Sequence, residues 1–118
     1  MQIEFQSEGD VTVVRLEGRF VAGSDAAYQS ARDALLRTGR HKVIVDCREV
    51  PYLDSTALNF LVSLYTTVQN AGGRFALCGM NAWMNEVLRI THLYKVLPVY
   101  ADRENALQAL AKVEPADG

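Results

Sequence analysis

Two short apolar runs constrain this chain most: Val43-Ile44-Val45, leading into Asp46-Cys47, and Phe75-Ala76-Leu77, leading into Cys78. Such unbroken runs are typical of strands covered on both faces, and strands of that kind belong to parallel sheets. Between them lies a stretch with a helical repeat, Leu58, Leu61, Val62, Tyr65 and Val68, which predicts a helix from Ser55 to about Asn70. Strand, helix and strand in this order make a βαβ unit. Ala71-Gly72-Gly73 closes the helix.

The flanking segments extend the pattern. Ile3 and Phe5 alternate with polar residues, and Ser7-Glu8-Gly9-Asp10 turns the chain toward a second strand. There Val11, Val13 and Leu16 alternate with Thr12 and Arg15, which predicts a strand with one wet face. Gly18 ends it. A helix is expected from about Ser24 to Arg37, with Ala27, Ala31, Ala34 and Leu35 on its inner face. Ser24 or Asp25 would cap it, and Gly39 would stop it. A third helix is expected over about Ala82 to Ile90, then an edge strand Leu97-Pro98-Val99-Tyr100. A last helix is expected from about Arg103 to Lys112, with Ala106, Leu107 and Leu110 inward. The whole reads as one α/β domain over residues 1–113: a mostly parallel sheet with an antiparallel N-terminal edge hairpin and about four helices. Residues 114–118 are expected to form a flexible tail.

Composition removes several functions. Net charge is −2, so no basic excess exists to neutralise phosphates, and direct nucleic-acid binding is not expected. Cys47 and Cys78 fit no metal or CxxC spacing and read as buried strand-end thiols of a cytoplasmic protein. The N-terminus has neither a basic n-region nor a long apolar stretch, and no run reaches the length of about 20 residues that a membrane span needs. No membrane insertion, cofactor or metal is therefore expected.

Chemistry in open α/β sheets gathers where strands end and helices begin. The loop from Cys47 to Asp54 is such a place, and it delivers Asp54-Ser55-Thr56 to the start of a helix. Asp and Ser at that position serve as N-caps. A serine there is also exposed, and a phosphate on it would meet free N–H donors and the positive end of the helix dipole. The two readings are compatible.

Here the residues resemble a family. Leu53-Asp54-Ser55-Thr56-Ala57-Leu58, after a Val-rich strand ending Asp46-Cys47, is similar to the phosphorylation segment of STAS-domain anti-sigma factor antagonists. The family pattern is Asp-Ser-(Ser/Thr)-Gly-(Leu/Ile). The likeness extends through Leu16-Glu17-Gly18-Arg19-Phe20 and Gly72-Gly73-Arg74-Phe75-Ala76-Leu77, and covers roughly residues 3 to 112. Two positions depart: Ala57 replaces the Gly, and Phe20-Val21-Ala22 lacks an acidic residue often found there.

The resemblance implies a STAS fold and a switch protein with no catalytic activity. It would bind an anti-sigma serine kinase of the GHKL type and be inactivated by phosphorylation at Ser55, with Thr56 the second choice. A PP2C-type phosphatase would reset it, and transcription would be regulated indirectly. Asp54, Ser55, Thr56, Ala57, Asn59, Asn81 and Trp83 would meet the partner, with Asp54 capping and holding the Ser55 loop. Asn85 and Glu86 would rim that surface. An alternative within the fold is an accessory subunit of a membrane lipid-transport ATPase, which needs no phosphorylatable serine.

Other readings fail on the residues themselves. Asp46 sits where a receiver domain carries its phosphoacceptor, yet the acidic pair and the lysine a receiver needs are missing. Ser55 and His92 lack a G-x-S-x-G elbow. His41 reads as a solvated turn residue and His92 as a loop or C-capping residue; neither has a second ligand at metal spacing. Gly72-Gly73 lacks the P-loop lysine.

Overall fold

The computed structural model describes residues 2–23, 25–39 and 42–111. The expected Ser24 cap, the His41 turn, Lys112 and the tail at 114–118 lie outside the described residues.

Among the described residues, five strands form one sheet: β1 (Gln2–Glu8), β2 (Val11–Glu17), β3 (Lys42–Glu49), β4 (Arg74–Cys78) and β5 (Val99–Tyr100). Their spatial order is β1-β2-β3-β4-β5. β1 pairs antiparallel with β2, and every other pairing is parallel. The helices are α1 (Asp25–Arg37), α2 (Ser55–Asn70), α3 (Ala82–Ile90) and α4 (Arg103–Ala111). The mixed α/β architecture expected from the sequence is the one observed.

Alternation along the strands sorts the helices into two layers. Val14, Leu16, Val43, Val45, Cys47, Phe75 and Leu77 point to one side, where Tyr28 and Leu35 of α1, Leu61 and Leu64 of α2 and Leu88 of α3 pack on them. Val11, Val13, Ile44, Ala76 and Cys78 point to the other, against Ala106 and Leu110 of α4. β2 is consequently covered on both faces, contrary to the expected wet face: even Thr12 is 4% exposed. Alternation of Val with Thr misleads here because Thr is small and β-branched, and packs like Val.

α1 also differs from expectation. Its inner residues are Tyr28, Ala31 and Leu35, while Ala27 is exposed. Tyr28 enters the core because its hydroxyl donates to the Val21 carbonyl at 2.6 Å, which satisfies the polar end of a buried ring. The edge strand shortens to Val99–Tyr100, and Leu97 is instead a core residue.

Asp46 faces α4. Its Oδ2 accepts from Arg103 Nε at 3.0 Å and Nη2 at 2.9 Å, and its Oδ1 accepts from the Arg48 N–H at 3.0 Å. Arg103 Nη1 donates to Gln6 at 2.8 Å, so one guanidinium ties α4 to β3 and β1. Asp46 is thus committed to Arg103 and to the Arg48 backbone.

Candidate partner interface

The site is built at the N-terminus of α2. Asp54 is its N-cap, in extended conformation, and Ser55 is the first helical residue. Asp54 Oδ1 accepts from the Ala57 N–H at 3.0 Å, satisfying a donor that the helix itself cannot pair. Its Oδ2 accepts from the Ala22 N–H at 2.9 Å, and the Asp54 N–H donates to the Phe20 carbonyl at 3.1 Å. Hydrogen bonds from Ala22 first, then Ala57, hold the Asp54 carboxyl below its ordinary value of 3.8. Both carboxylate oxygens are therefore committed to the backbone.

Ser55 is exposed and Thr56 half-buried. Ser55 therefore faces solvent and takes no part in the core. Asn59 follows one turn later and is also exposed, so Ser55 and Asn59 share a helix face. Ala57 does not belong with them. Its side chain is fully buried at 0% exposure, because the third residue of α2 points into the Leu61–Leu64 layer. Its methyl cannot touch a partner.

α3 brings up the far side. Asn81 caps it, accepting from the Met84 N–H at 2.8 Å, and donates to the Pro51 carbonyl at 3.3 Å. The amide is exposed but spent on tying α3 to the loop that leads to Ser55. Trp83 is 46% exposed and stacks on Tyr52 at 5.1 Å between centroids, with 19° between planes. Arg19 lies over the Tyr52 ring at 5.1 Å. Met80 and Met84, on either side of Trp83 in the chain, are core residues. Asn85 and Glu86 are exposed along α3.

Arg19 and Tyr52 join the surface without having been picked out in the sequence. The backbone places them: Phe20 N–H donates to Tyr52 O at 2.9 Å, and Phe20 and Leu53 form a parallel bridge. No short motif encodes that pairing. A hint lay in Tyr52 itself, an aromatic next to proline in the loop that leads to the helix.

The remaining candidates stay inert. Burial, then the nearby Asp46 charge, push the Cys78 thiol up to about 12, and burial raises Cys47 further. Both are neutral thiols at physiological pH. His92 has φ +62 just beyond the C-terminus of α3, with its N–H donating to Arg89 O at 3.1 Å. No cluster of three metal-ligating side chains exists among the described residues, and no described helix is long and apolar enough to cross a membrane.

The family model for the STAS domain matches residues 2–106. The chain belongs to the STAS domain family. The anti-sigma F factor antagonist of Paenibacillus polymyxa is 27% identical to this STAS domain over 114 residues, covering 96% of the chain and 97% of that relative. An anti-sigma-factor antagonist domain protein from Planctomyces limnophilus superposes with a TM-score of 0.83 at 27% identity, over 93% of this chain and 98% of its own. An anti-sigma factor antagonist from Mycobacterium paratuberculosis shares the fold, with a TM-score of 0.85 at 22% identity, over 94% of each chain. In this STAS domain the Asn81–Pro51 hydrogen bond and the Tyr52–Trp83 stack join the start of α3 to the loop that leads into α2.

Proposed function

We propose that this STAS domain is an anti-sigma factor antagonist that binds an anti-sigma serine kinase and is switched off by phosphorylation of Ser55. One observation carries the reading: Ser55 is exposed at the first position of α2 while its neighbour Asp54 supplies the cap. The hydroxyl is thus free of a structural task. The near full-length similarity to an anti-sigma F factor antagonist supports the same class of partner.

The transfer balances simply. Ser55 Oγ attacks the γ-phosphorus of ATP, an O–P bond forms, the bond from that phosphorus to the bridging oxygen breaks, and ADP leaves. The hydroxyl proton passes to a base on the kinase. Resetting needs a water to attack the phosphorus and release inorganic phosphate, the reaction of a PP2C-type phosphatase. A GHKL-type kinase fits the first step.

Phosphoserine adds about −1.5 to −2 charges beside the anionic Asp54. Like charges brought together at an interface cost several kcal/mol. A loss of about 3 kcal/mol weakens binding roughly a hundredfold. The fold itself tolerates the group, because α2 offers unpaired N–H donors at that end. The partner surface comprises Ser55, Thr56 and Asn59 on α2 with Trp83 on α3, braced by Asp54 and Asn81. Its aromatic and hydrogen-bonding character, without a cluster of cations, suits a protein partner better than a nucleic acid. Regulation of transcription is then indirect, and the protein acts in the cytoplasm.

A pull-down from native lysate with Ser55→Ala and Ser55→Asp as baits tests this. The Ala form is expected to retain a GHKL-type kinase and the Asp form to lose it. Equal retention rejects the charge switch. Capture of transport-ATPase subunits by both forms replaces the reading with the accessory-subunit alternative.

A further inference from the structure

We propose that Arg19 is the counter-cation of a phosphate on Ser55, and that pairing with it lifts the guanidinium off the Tyr52–Trp83 stack. The inference rests on the phosphorylation reading above and adds how the modified surface rearranges.

Three observations combine. Arg19 is exposed and makes no ion pair with any described residue. Its guanidinium sits 5.1 Å from the centroid of Tyr52, held by a cation–π contact, which is weak at an exposed site. Charge-assisted bonds from arginine to phosphate are stronger than neutral ones and are often bidentate. The exchange therefore runs downhill once a dianion is within reach.

Reach follows from the backbone. Residues 20–22 run parallel to 52–54 through Phe20 N–H to Tyr52 O, Asp54 N–H to Phe20 O, and Ala22 N–H to Asp54 Oδ2. Arg19 is fixed beside Tyr52 by this pairing, and Tyr52 to Ser55 is three residues, at most about 10 Å of chain. A long arginine side chain and a phosphoseryl arm together can span a gap of that order. Two other cations are engaged elsewhere. Arg32 donates to Ser63, two turns further along α2, and Arg103 is locked on Asp46. Asp54 does not compete for Arg19, since its oxygens face the Ala22 and Ala57 amides.

The consequence reaches the partner face. Arg19, Tyr52 and Trp83 form one layered surface in the unmodified protein, on the loop that leads into Ser55. Drawing Arg19 away from the layer adds a change of shape to the change of charge, so the two signals act on the same docked surface.

The test uses full-length protein carrying phosphoserine inserted at position 55 during translation, so no kinase is needed and the outcome is independent of the pull-down. Phosphorus NMR then follows the second ionisation of the phosphate, ordinarily near pH 6. Arg19→Gln is expected to raise that midpoint by about 0.5 unit or more relative to the phosphorylated parent. Arg19→Lys should keep most of the depression, and Arg15→Gln, on the α4 side of the sheet, should change nothing. Trp83 is the chain's sole tryptophan, so its emission reports the stack. Phosphorylation is expected to shift that emission in the parent and not in Arg19→Gln. Equal midpoints in the parent and Arg19→Gln overturn the pairing, and an emission unchanged by phosphorylation overturns the unstacking.

Discussion

The Asp54 carboxylate accepts the Ala22 N–H at 2.9 Å, across 32 residues of sequence. This bond and the Ala57 cap make one side chain the joint between the loop after β2 and the start of α2. Ser55 is positioned by that joint, and Asp54→Ala should free both segments at once. Amide exchange at Ala22 and Ala57 is expected to accelerate in the variant while core amides of β3 and β4 stay protected. Uniform exchange across the chain would show that the joint does not act locally.

The same carboxylate predicts a pH dependence. Its folded pKa lies below the ordinary value of 3.8, through the Ala22 and Ala57 hydrogen bonds. The group contributes stability fully above its unfolded pKa, and that contribution falls away as pH drops through the folded value. Asp54→Asn should therefore lose less stability than the parent on acidification from about pH 5 to below pH 3. Thermal melts across that window measure the difference, and parallel curves refute it.

Arg103 and Asp46 form the other long-range link, with Asp46 only 7% exposed at its side chain. Removing one partner of a buried pair leaves an uncompensated charge, so Arg103→Met is expected to cost about 3 kcal/mol in urea unfolding. Replacing both residues by apolar ones of similar volume should recover much of that loss. A double variant as unstable as the sum of the singles would show that the two act independently.

Gly79 has φ +74, and a Cβ there would stand 2.8 Å from the Arg48 backbone nitrogen. Gly79→Ala must then strain its own backbone and push β4 from the β3 terminus. A loss of about 1–3 kcal/mol is expected in denaturant unfolding. A smaller change than about 0.5 kcal/mol would mean that the neighbouring loop yields freely.

Thr12 Oγ1 is buried and has no hydrogen-bond partner among the described residues. Thr12→Val keeps the shape and removes the unpaired hydroxyl, so a gain of roughly 1 kcal/mol is expected. Equal or lower stability in calorimetry would reveal that the hydroxyl is satisfied in solution.

Local patterns were enough to determine much of this protein. The apolar runs of β3 and β4, the helical repeat of α2 and the Gly-rich stops set the element order. The Asp54-Ser55-Thr56 cap was legible because a helix N-terminus has chemical demands that a few adjacent residues meet. Tertiary structure decided what depends on partners distant in sequence. It turned Ala57 inward and Tyr28 into the core, and covered the second face of β2 with α4. It also placed Arg19 over Tyr52 and Tyr52 over Trp83 by pairing residues 20–22 with 52–54. Periodicity reports which face a residue shares with its near neighbours; which distant segment covers that face is settled only when the layers pack.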